Sequence, residues 1–139
     1  MRRGFLLAFF ALAIAASLPA ANAQDARATE AQAAARSWLA LADKLDGSAT
    51  YAASGDKFQR AMPVKRWTKA LQDSRGPFGA TQTRTVVSTQ FVDTIAGQPK
   101  GEYALVLFRS SFANRDFIQE RLTLEKTAKG WQVIGYFPR

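Results

Sequence analysis

The spacing of apolar residues changes once along this chain, at Gly79, and that change limits the folds open to it. Before Gly79 the apolar side chains recur at the period of an α-helix, and after it they alternate at the period of a β-strand. A block of helices followed by a block of strands cannot form the alternating βαβ units of a parallel sheet. The sequence therefore predicts an α+β domain, with N-terminal helices packed on a curved four-stranded antiparallel sheet.

The helical half of the chain predicts three helices, over residues 29–46, 48–54 and 63–74. In the first, Thr29 and Gln32 fit a capping box, and Gly47 is expected to end the helix. The third has Pro63 at its first position, where the missing amide hydrogen costs little. The glycine- and proline-containing segment 75–79 cannot continue a helix and leads into the sheet.

The second half of the chain predicts four strands, over residues 81–94, 102–111, 117–127 and 131–137. The first is long and is expected to carry a bulge. The middle of the second is apolar on both faces, which is typical of a central strand. The fourth strand is expected to contribute to the core with Trp131, Val133, Ile134 and Phe137.

The start of the chain has the pattern of a secretory signal peptide. Arg2 and Arg3 precede an uncharged apolar run at 5–18, and Ala-Asn-Ala at 21–23 is a signal-peptidase site. The run would span about 21 Å as a helix, less than the ~30 Å hydrocarbon core, so an uncleaved membrane anchor is the weaker alternative. The general secretory route is favoured, and the paired arginines leave twin-arginine export open.

Cleavage after Ala23 would leave residues 24–139 as one mature domain. That domain is expected to be periplasmic or secreted, with no stable membrane insertion once the signal is removed. A domain of this length buries enough surface to fold without disulfide bonds.

The composition excludes several kinds of chemistry. The chain has no Cys and no His, so it holds no catalytic triad, thiolate nucleophile or imidazole metal ligand. No loop has the spacing of a calcium site, and no phosphate-binding glycine motif is present. The sequence thus predicts neither a cofactor nor a metal, and whether the protein is an enzyme is left open, with the balance against catalysis.

Most of the predicted mature chain resembles one family. The matching residues are Trp-Leu-Ala-Leu-Ala-Asp at 38–43, Tyr-Ala-Ala-Ser at 51–54, Phe58, Trp67, Arg-Gly-Pro-Phe-Gly at 75–79, Gly-Glu-Tyr at 101–103, Phe-Ala-Asn at 112–114, Glu120, Gly130-Trp131 and Gly135-Tyr136-Phe137. In order and spacing they are similar to domain of unknown function 4019, a family of small exported bacterial proteins. The resemblance implies no activity. It implies the cone-shaped fold of the nuclear transport factor 2-like superfamily, whose members include enzymes, binders and structural modules.

Glu120 is the strongest candidate for a functional carboxylate. It shares its strand parity with Ile118, Leu122 and Leu124, so the alternation places it on an apolar face. A buried carboxylate needs a partner. The candidate counter-ions and hydrogen-bond donors are Arg75, Arg84, Arg109, Tyr103 and Tyr136. Such a group is an acid or base at the floor of a pocket, an anchor for a cationic ligand or, as the favoured interpretation, part of a structural ion pair.

Two further charged groups are expected to be exposed. Lys65, Arg66 and Lys69 lie on the third helix away from its apolar stripe, and could meet an anionic envelope surface. Asp43 and Asp46, three residues apart near a helix end, are interpreted as a solvated face. Nucleic acid is not an expected partner, because no recognition motif accompanies the basic residues.

Three functions remain open from the sequence. The favoured one is a non-catalytic exported domain that binds a small ligand or an envelope protein. The second is a hydrolase or isomerase that uses Glu120, and the third is a basic adaptor to an anionic envelope surface. A homodimer is also left open.

Overall fold

The computed structural model describes residues 20–139, with side chains from residue 26 onward. Its elements follow one another as α1 (Ala20–Asp43), α2 (Gly47–Ala53), α3 (Asp56–Ala61), α4 (Val64–Arg75), a 3₁₀ turn (Gly76–Phe78), β1 (Thr81–Val92), β2 (Tyr103–Phe112), β3 (Arg115–Thr127) and β4 (Gly130–Pro138). The predicted order of helices and then strands is confirmed, and the domain is α+β.

The sheet is an antiparallel meander in the order β1-β2-β3-β4. The pairing of each two neighbouring strands contains a bulge or register shift. In β1, where a bulge was expected, there are two, between Thr81 and Thr83 and between Val86 and Ser88. Bulges increase local twist and bend a strand. They therefore curve this sheet around the helices that cover one of its faces.

The helical half differs from the prediction at three places. Within residues 20–139 there are four α-helices rather than three, because Asp56 starts the additional helix α3. Thr29 lies inside α1, which already begins at Ala20, so it is not part of a capping box at the helix start. Gly47 does not end a helix but begins α2, whose N-cap is Asp46.

Gly47 is required by the close approach of α2 to α4. A β-carbon at this position would lie 2.3 Å from Thr68 Oγ1 and 2.7 Å from Thr68 Cα. Only a residue without a side chain allows the two helices to pack at this distance. The signal at Gly47 was therefore a packing constraint rather than a helix stop.

The core lies between the helices and one face of the sheet, called here the inner face. Trp38 and Leu39 of α1 and Leu71 of α4 pack there against the buried residues of the strands. Those residues alternate along the central strands β2 and β3, where they include Val106, Phe108, Leu122 and Leu124, and Val133 of β4 joins them. The opposite, outer face of the sheet carries the remaining residues of each strand.

Phe137 was expected in the core and is instead 57% exposed. A register shift in the pairing of β3 with β4 places Ile134 at a bulge, so the parity of β4 changes along the strand. Trp131, Val133 and Tyr136 are consequently buried, and Phe137 lies on the outer face.

The predicted signal peptide lies mostly outside the described residues, and its cleavage stays a prediction. None of the helices in the described part of the chain is both long enough and apolar enough to cross a membrane.

Candidate functional site

Glu120 lies on the inner face with no exposure to solvent. Its Oε1 accepts hydrogen bonds from Ser110 Oγ at 2.5 Å and Arg84 Nε at 2.9 Å. Its Oε2 accepts one from the Tyr136 hydroxyl and one from Arg75 Nη1, the latter at 3.4 Å. Four side-chain donors thus satisfy this carboxylate, as a buried charge requires.

A second carboxylate, Asp43 at the end of α1, completes the cluster. Its Oδ1 accepts a hydrogen bond from Arg75 Nη2 at 2.6 Å, and Arg84 donates to both Oδ atoms at 2.9 Å. Arg75 and Arg84 therefore each bridge Asp43 to Glu120. The two cations and two acids, which we call the inner ion cluster, join α1 and α4 to strands β1 and β3.

In and beside the inner ion cluster, the pKa values of Asp43, Arg84 and Tyr136 depart from their ordinary values. Burial alone would raise the pKa of Asp43, but hydrogen bonds from Arg84 and Arg75 outweigh it and lower the pKa from 3.8 to about 2. The same acids raise the pKa of Arg84 in spite of its burial. Burial and the neighbouring Glu120 charge both raise the pKa of Tyr136, so its hydroxyl remains a donor.

The structure brings Arg75, Arg84 and Tyr136 to Glu120, but it places two other candidates elsewhere. Arg109 is exposed on the outer face, where its guanidinium lies 4.3 Å from the centre of the Phe117 ring. The Tyr103 hydroxyl accepts a hydrogen bond from Lys57 Nζ at 3.0 Å and donates one to the Pro99 carbonyl at 2.6 Å. Neither side chain is part of the inner ion cluster.

Asp43 and Asp46 do not form the solvated pair that was expected. Asp43 belongs to the inner ion cluster, and Asp46 accepts a hydrogen bond from the Ala49 amide as the cap of α2. Asp43 is the last residue of α1, whereas Asp46 is the N-cap of α2, so the two belong to different helices. The spacing of three residues therefore does not place the two carboxylates on one helix face. The structural role of Asp43 was missed.

The basic residues of α4 are exposed as expected. Lys65, Arg66 and Lys69 lie away from the buried Trp67 and Leu71. Lys69 forms a surface ion pair with Asp73 at 2.6 Å. Among the described residues, no group of three or more potential ligands is placed to hold a metal ion.

A small depression of about 220 Å³ adjoins the inner ion cluster at the end of α1. Asp43 and Arg75 contribute to its wall together with Gly76 and Gly79. Arg75 Nε is buried without a hydrogen-bond partner in the part of the chain that the structure describes. The depression reaches the edge of the cluster, whereas Glu120 stays enclosed.

The larger concave feature lies on the outer face of the sheet. It is a groove of about 620 Å³. Its wall combines aliphatic, aromatic, polar and basic side chains and contains no acid: Ser88, Gln90, Leu105, Val106, Leu107, Gln119, Arg121, Thr123, Phe137 and Arg139. A concave surface that offers both apolar contact and polar groups is a default candidate for binding a small molecule. The groove, which we call the outer groove, is therefore the candidate binding site.

The outer groove was not anticipated from the sequence. Apart from the core residue Val106, its residues lie at outer positions of the strands or directly after β4, and period-2 alternation assigns such positions to the solvent face. Leu105 and Leu107 on that face made β2 apolar on both sides, which predicted a strand covered on both faces. In the structure these two leucines form the floor of the groove, and no second layer covers them among the described residues.

Fold and site together define a small α+β domain, with a buried ion cluster between helices and sheet and a groove on the free face of the sheet. Residues 34–136 match the family model described as Protein of unknown function (DUF4019). The chain belongs to this family. No curated protein and no solved structure matches it.

Proposed function

We propose that this protein is an exported, non-catalytic domain that binds a small ligand in the outer groove. The groove itself is the observation that carries the proposal. Its volume of about 620 Å³ lies within the range of ~300–1,000 Å³ usual for small-molecule sites. Phe137 is 57% exposed at its wall, where its ring is accessible to a bound molecule.

The state of Glu120 argues against catalysis at the inner ion cluster. A general acid or base must come within hydrogen-bond reach of the proton that it transfers. Glu120 is fully buried, and all its contacts are already made to Ser110, Arg84, Arg75 and Tyr136. A hydrolase or isomerase based on Glu120 would have to open the cluster first, so binding without turnover is the better proposal.

Export to the periplasm, or secretion, is part of the proposal. It is supported by Arg2 and Arg3, the apolar run at 5–18 and the Ala-Asn-Ala site at 21–23. The absence of Cys from the whole sequence also suits an oxidising compartment, since no thiol is at risk of unwanted pairing. The expected mature N-terminus is Gln24, and the intact mass of the exported protein measures it.

We further propose that the fold is of the cone-shaped nuclear transport factor 2-like kind. The supporting feature is the arrangement of the N-terminal helices against one face of a curved antiparallel meander. An experimental structure compared with members of that superfamily tests this assignment.

The experiment for ligand binding is native mass spectrometry of the mature protein after incubation with envelope extract. We expect the parent protein to retain a small molecule. Phe137→Ser should lose it, because the ring forms part of the groove wall. Val64→Ser is the matched control, since Val64 is an exposed apolar residue of α4 far from that wall.

Two outcomes would contradict the proposal. The first is retention of no small molecule, or equal retention by the Phe137→Ser variant. The second is a compound in the extract that is converted over time by the parent protein but not by Glu120→Gln, which would indicate turnover at the inner ion cluster.

A further inference from the structure

We propose that the outer groove takes an amphiphile with a carboxylate head, bound by arginines at one end and by leucines along the floor. This inference rests on the ligand-binding function proposed above and names the class of ligand. The arginines are Arg121 and Arg139 of the groove wall and Arg109, which lies beside that wall opposite Gln119; we call the three the outer arginine triad.

The strand register brings the outer arginine triad together. Arg109 on β2 lies opposite Gln119 on β3. On the other side, Gln119 and Arg139 exchange two main-chain hydrogen bonds of 2.8 Å. Arg121 follows Gln119 by two residues and so points to the same face. Its position is diagonal to those of both other arginines, and the Cα atoms of diagonal neighbours on adjacent strands are typically ~7–8 Å apart.

No Asp or Glu side chain of the described residues forms an ion pair with the triad. No ion pair involves Arg109, Arg121 or Arg139 within that part of the chain, although nine ion pairs occur elsewhere in it. The outer groove likewise has no Asp or Glu in its wall. Three neighbouring cations repel one another, and an anion between them would remove that repulsion. The charge pattern therefore indicates an anionic head group.

Arg109 is held by a residue in an unusual conformation. Phe117 has a φ of +57° and is 66% exposed, although bulky side chains seldom adopt this left-handed region. Its ring lies under the Arg109 guanidinium, at 4.3 Å from the ring centre. Strained residues cluster at functional sites, and this one fixes a member of the triad.

The floor beyond the triad suits an aliphatic tail. Leu107 and Leu105 continue along β2 from Arg109 on the same face, and Phe137 lies opposite Arg121. From residue 109 to residue 105 the strand rises about 13 Å, which matches an extended chain of about ten carbons. A carboxylate with a tail of medium length thus fills the groove from the triad to its far end.

A second copy of the chain is a poor occupant of this face. In a two-fold dimer the same patch meets itself, so the two triads would be brought together with like charge. Like charges facing each other at an interface are costly. A flat anionic membrane fits less well than a single molecule, since Leu105 and Leu107 lie half-buried at the base of a groove.

The test is isothermal titration calorimetry of the mature protein with sodium decanoate, and with 1-decanol as the neutral ligand of equal chain length. We expect decanoate to bind at least about tenfold more tightly than 1-decanol. Arg121→Gln should lower the affinity for decanoate about tenfold and leave the affinity for 1-decanol unchanged. Arg66→Gln, on the exposed side of α4, also removes one positive charge and should change neither affinity. Arg139→Gln repeats the test should Arg121→Gln fail to fold.

Each other outcome overturns part or all of the inference. Equal affinity for the two ligands overturns the carboxylate head but leaves the proposed binding function standing. No binding of either ligand, with folded protein, overturns both. Binding to vesicles of anionic lipid without binding of free decanoate assigns the triad to a membrane surface. A dimer in sedimentation that decanoate does not dissociate, and that Phe137→Ser abolishes, assigns the face to a second copy.

Discussion

The two faces of the β-sheet carry arginines in opposite electrostatic settings. On the inner face Arg75 and Arg84 are matched by Asp43 and Glu120, and the group is enclosed between helices and sheet. On the outer face the triad around Gln119 is exposed and has no acidic partner among the described residues. Buried charge must be compensated within the chain, whereas exposed charge is compensated by water. The inner set therefore serves the fold, and the outer set is available to a ligand.

The largest effect is expected from removing the inner carboxylate. Glu120→Leu leaves Arg75 and Arg84 with one acid instead of two, and breaking a buried ion pair in this way costs about 3–5 kcal/mol of unfolding free energy. Glu120→Gln should cost less, because the amide keeps part of the hydrogen bonding. Denaturant unfolding of both variants measures the difference.

Glu125→Leu is the matched control for this comparison. Its pair with Lys57, at 2.8 Å, is of the same chemical type, but both side chains keep more than a fifth of their exposure. We expect it to cost about 1 kcal/mol or less. A cost for Glu120→Leu no larger than that of Glu125→Leu would contradict the view that the inner ion cluster holds the helices to the sheet.

The next effect is a pH dependence of stability that Asp43 contributes. Its pKa is about 2 in the folded protein against 3.8 as the ordinary value. A lowered folded pKa stabilises the protein above the unfolded pKa, and this stabilisation is lost as the pH falls through the folded one. We expect about 2 kcal/mol to be lost between roughly pH 5 and pH 2.

Asp43→Asn should remove that part of the pH dependence while lowering stability at neutral pH. Unfolding free energies of parent and variant, measured at several pH values, should therefore converge as the solution becomes acid. Asp73→Asn, at an exposed ion pair of α4, is the control and should leave the slope of the parent nearly unchanged. If the unfolding free energies of the parent and Asp43→Asn differed by the same amount at all pH values, Asp43 would not have the lowered pKa that its pairing with Arg75 and Arg84 implies.

The strand half of the fold could be predicted from the sequence more closely than the helical half. Period-2 alternation, glycine turns and the tight turn before Gly130 defined β1 to β4 within a few residues of their bounds. The errors in the helical half concerned where the helices begin and end. Gly47 has the composition of a stop but is needed for contact with Thr68, and no local pattern carries that tertiary information.

The residues of the candidate site could be predicted only where strand parity alone determines which face of the sheet a side chain is on. Parity placed Glu120 on the inner face, and charge balance pointed to arginines without choosing between Arg84 and Arg109. Both lie on neighbouring strands, but Arg84 has the inner parity and Arg109 the outer one. Asp43 was wrongly assigned to a solvated face because its partners Arg75 and Arg84 are far away in sequence, and only the packing of α1 brings them together.

A smaller effect is expected from the strained residue that supports the outer triad. Phe117→Gly and Phe117→Ala both remove an exposed ring, but only glycine adopts a φ of +57° without strain. We expect the glycine variant to be more stable than the alanine variant by about 1 kcal/mol. Both should bind decanoate more weakly than the parent, since Arg109 loses its support in each. Equal stability of the two variants would mean that Phe117 carries no strain.

The smallest effect, and the one that most directly contrasts the two faces, is a gain in stability from removing an outer arginine. Arg121→Gln relieves repulsion from Arg109 and Arg139 and breaks no ion pair among the described residues, so unfolding free energy should rise by a few tenths of a kcal/mol. Arg84→Gln, which breaks contacts with Asp43 and Glu120, should have the opposite sign.

Salt separates this repulsion from other causes. At about 1 M ionic strength the Debye length falls to ~3 Å, so exposed cations on neighbouring strands no longer repel one another appreciably. The gain from Arg121→Gln should then disappear, while the loss from Arg84→Gln should persist because its partners are buried. A loss of more than about 1 kcal/mol from Arg121→Gln at low salt would show that Arg121 serves the fold. The outer face would then no longer be the one that is available to a ligand.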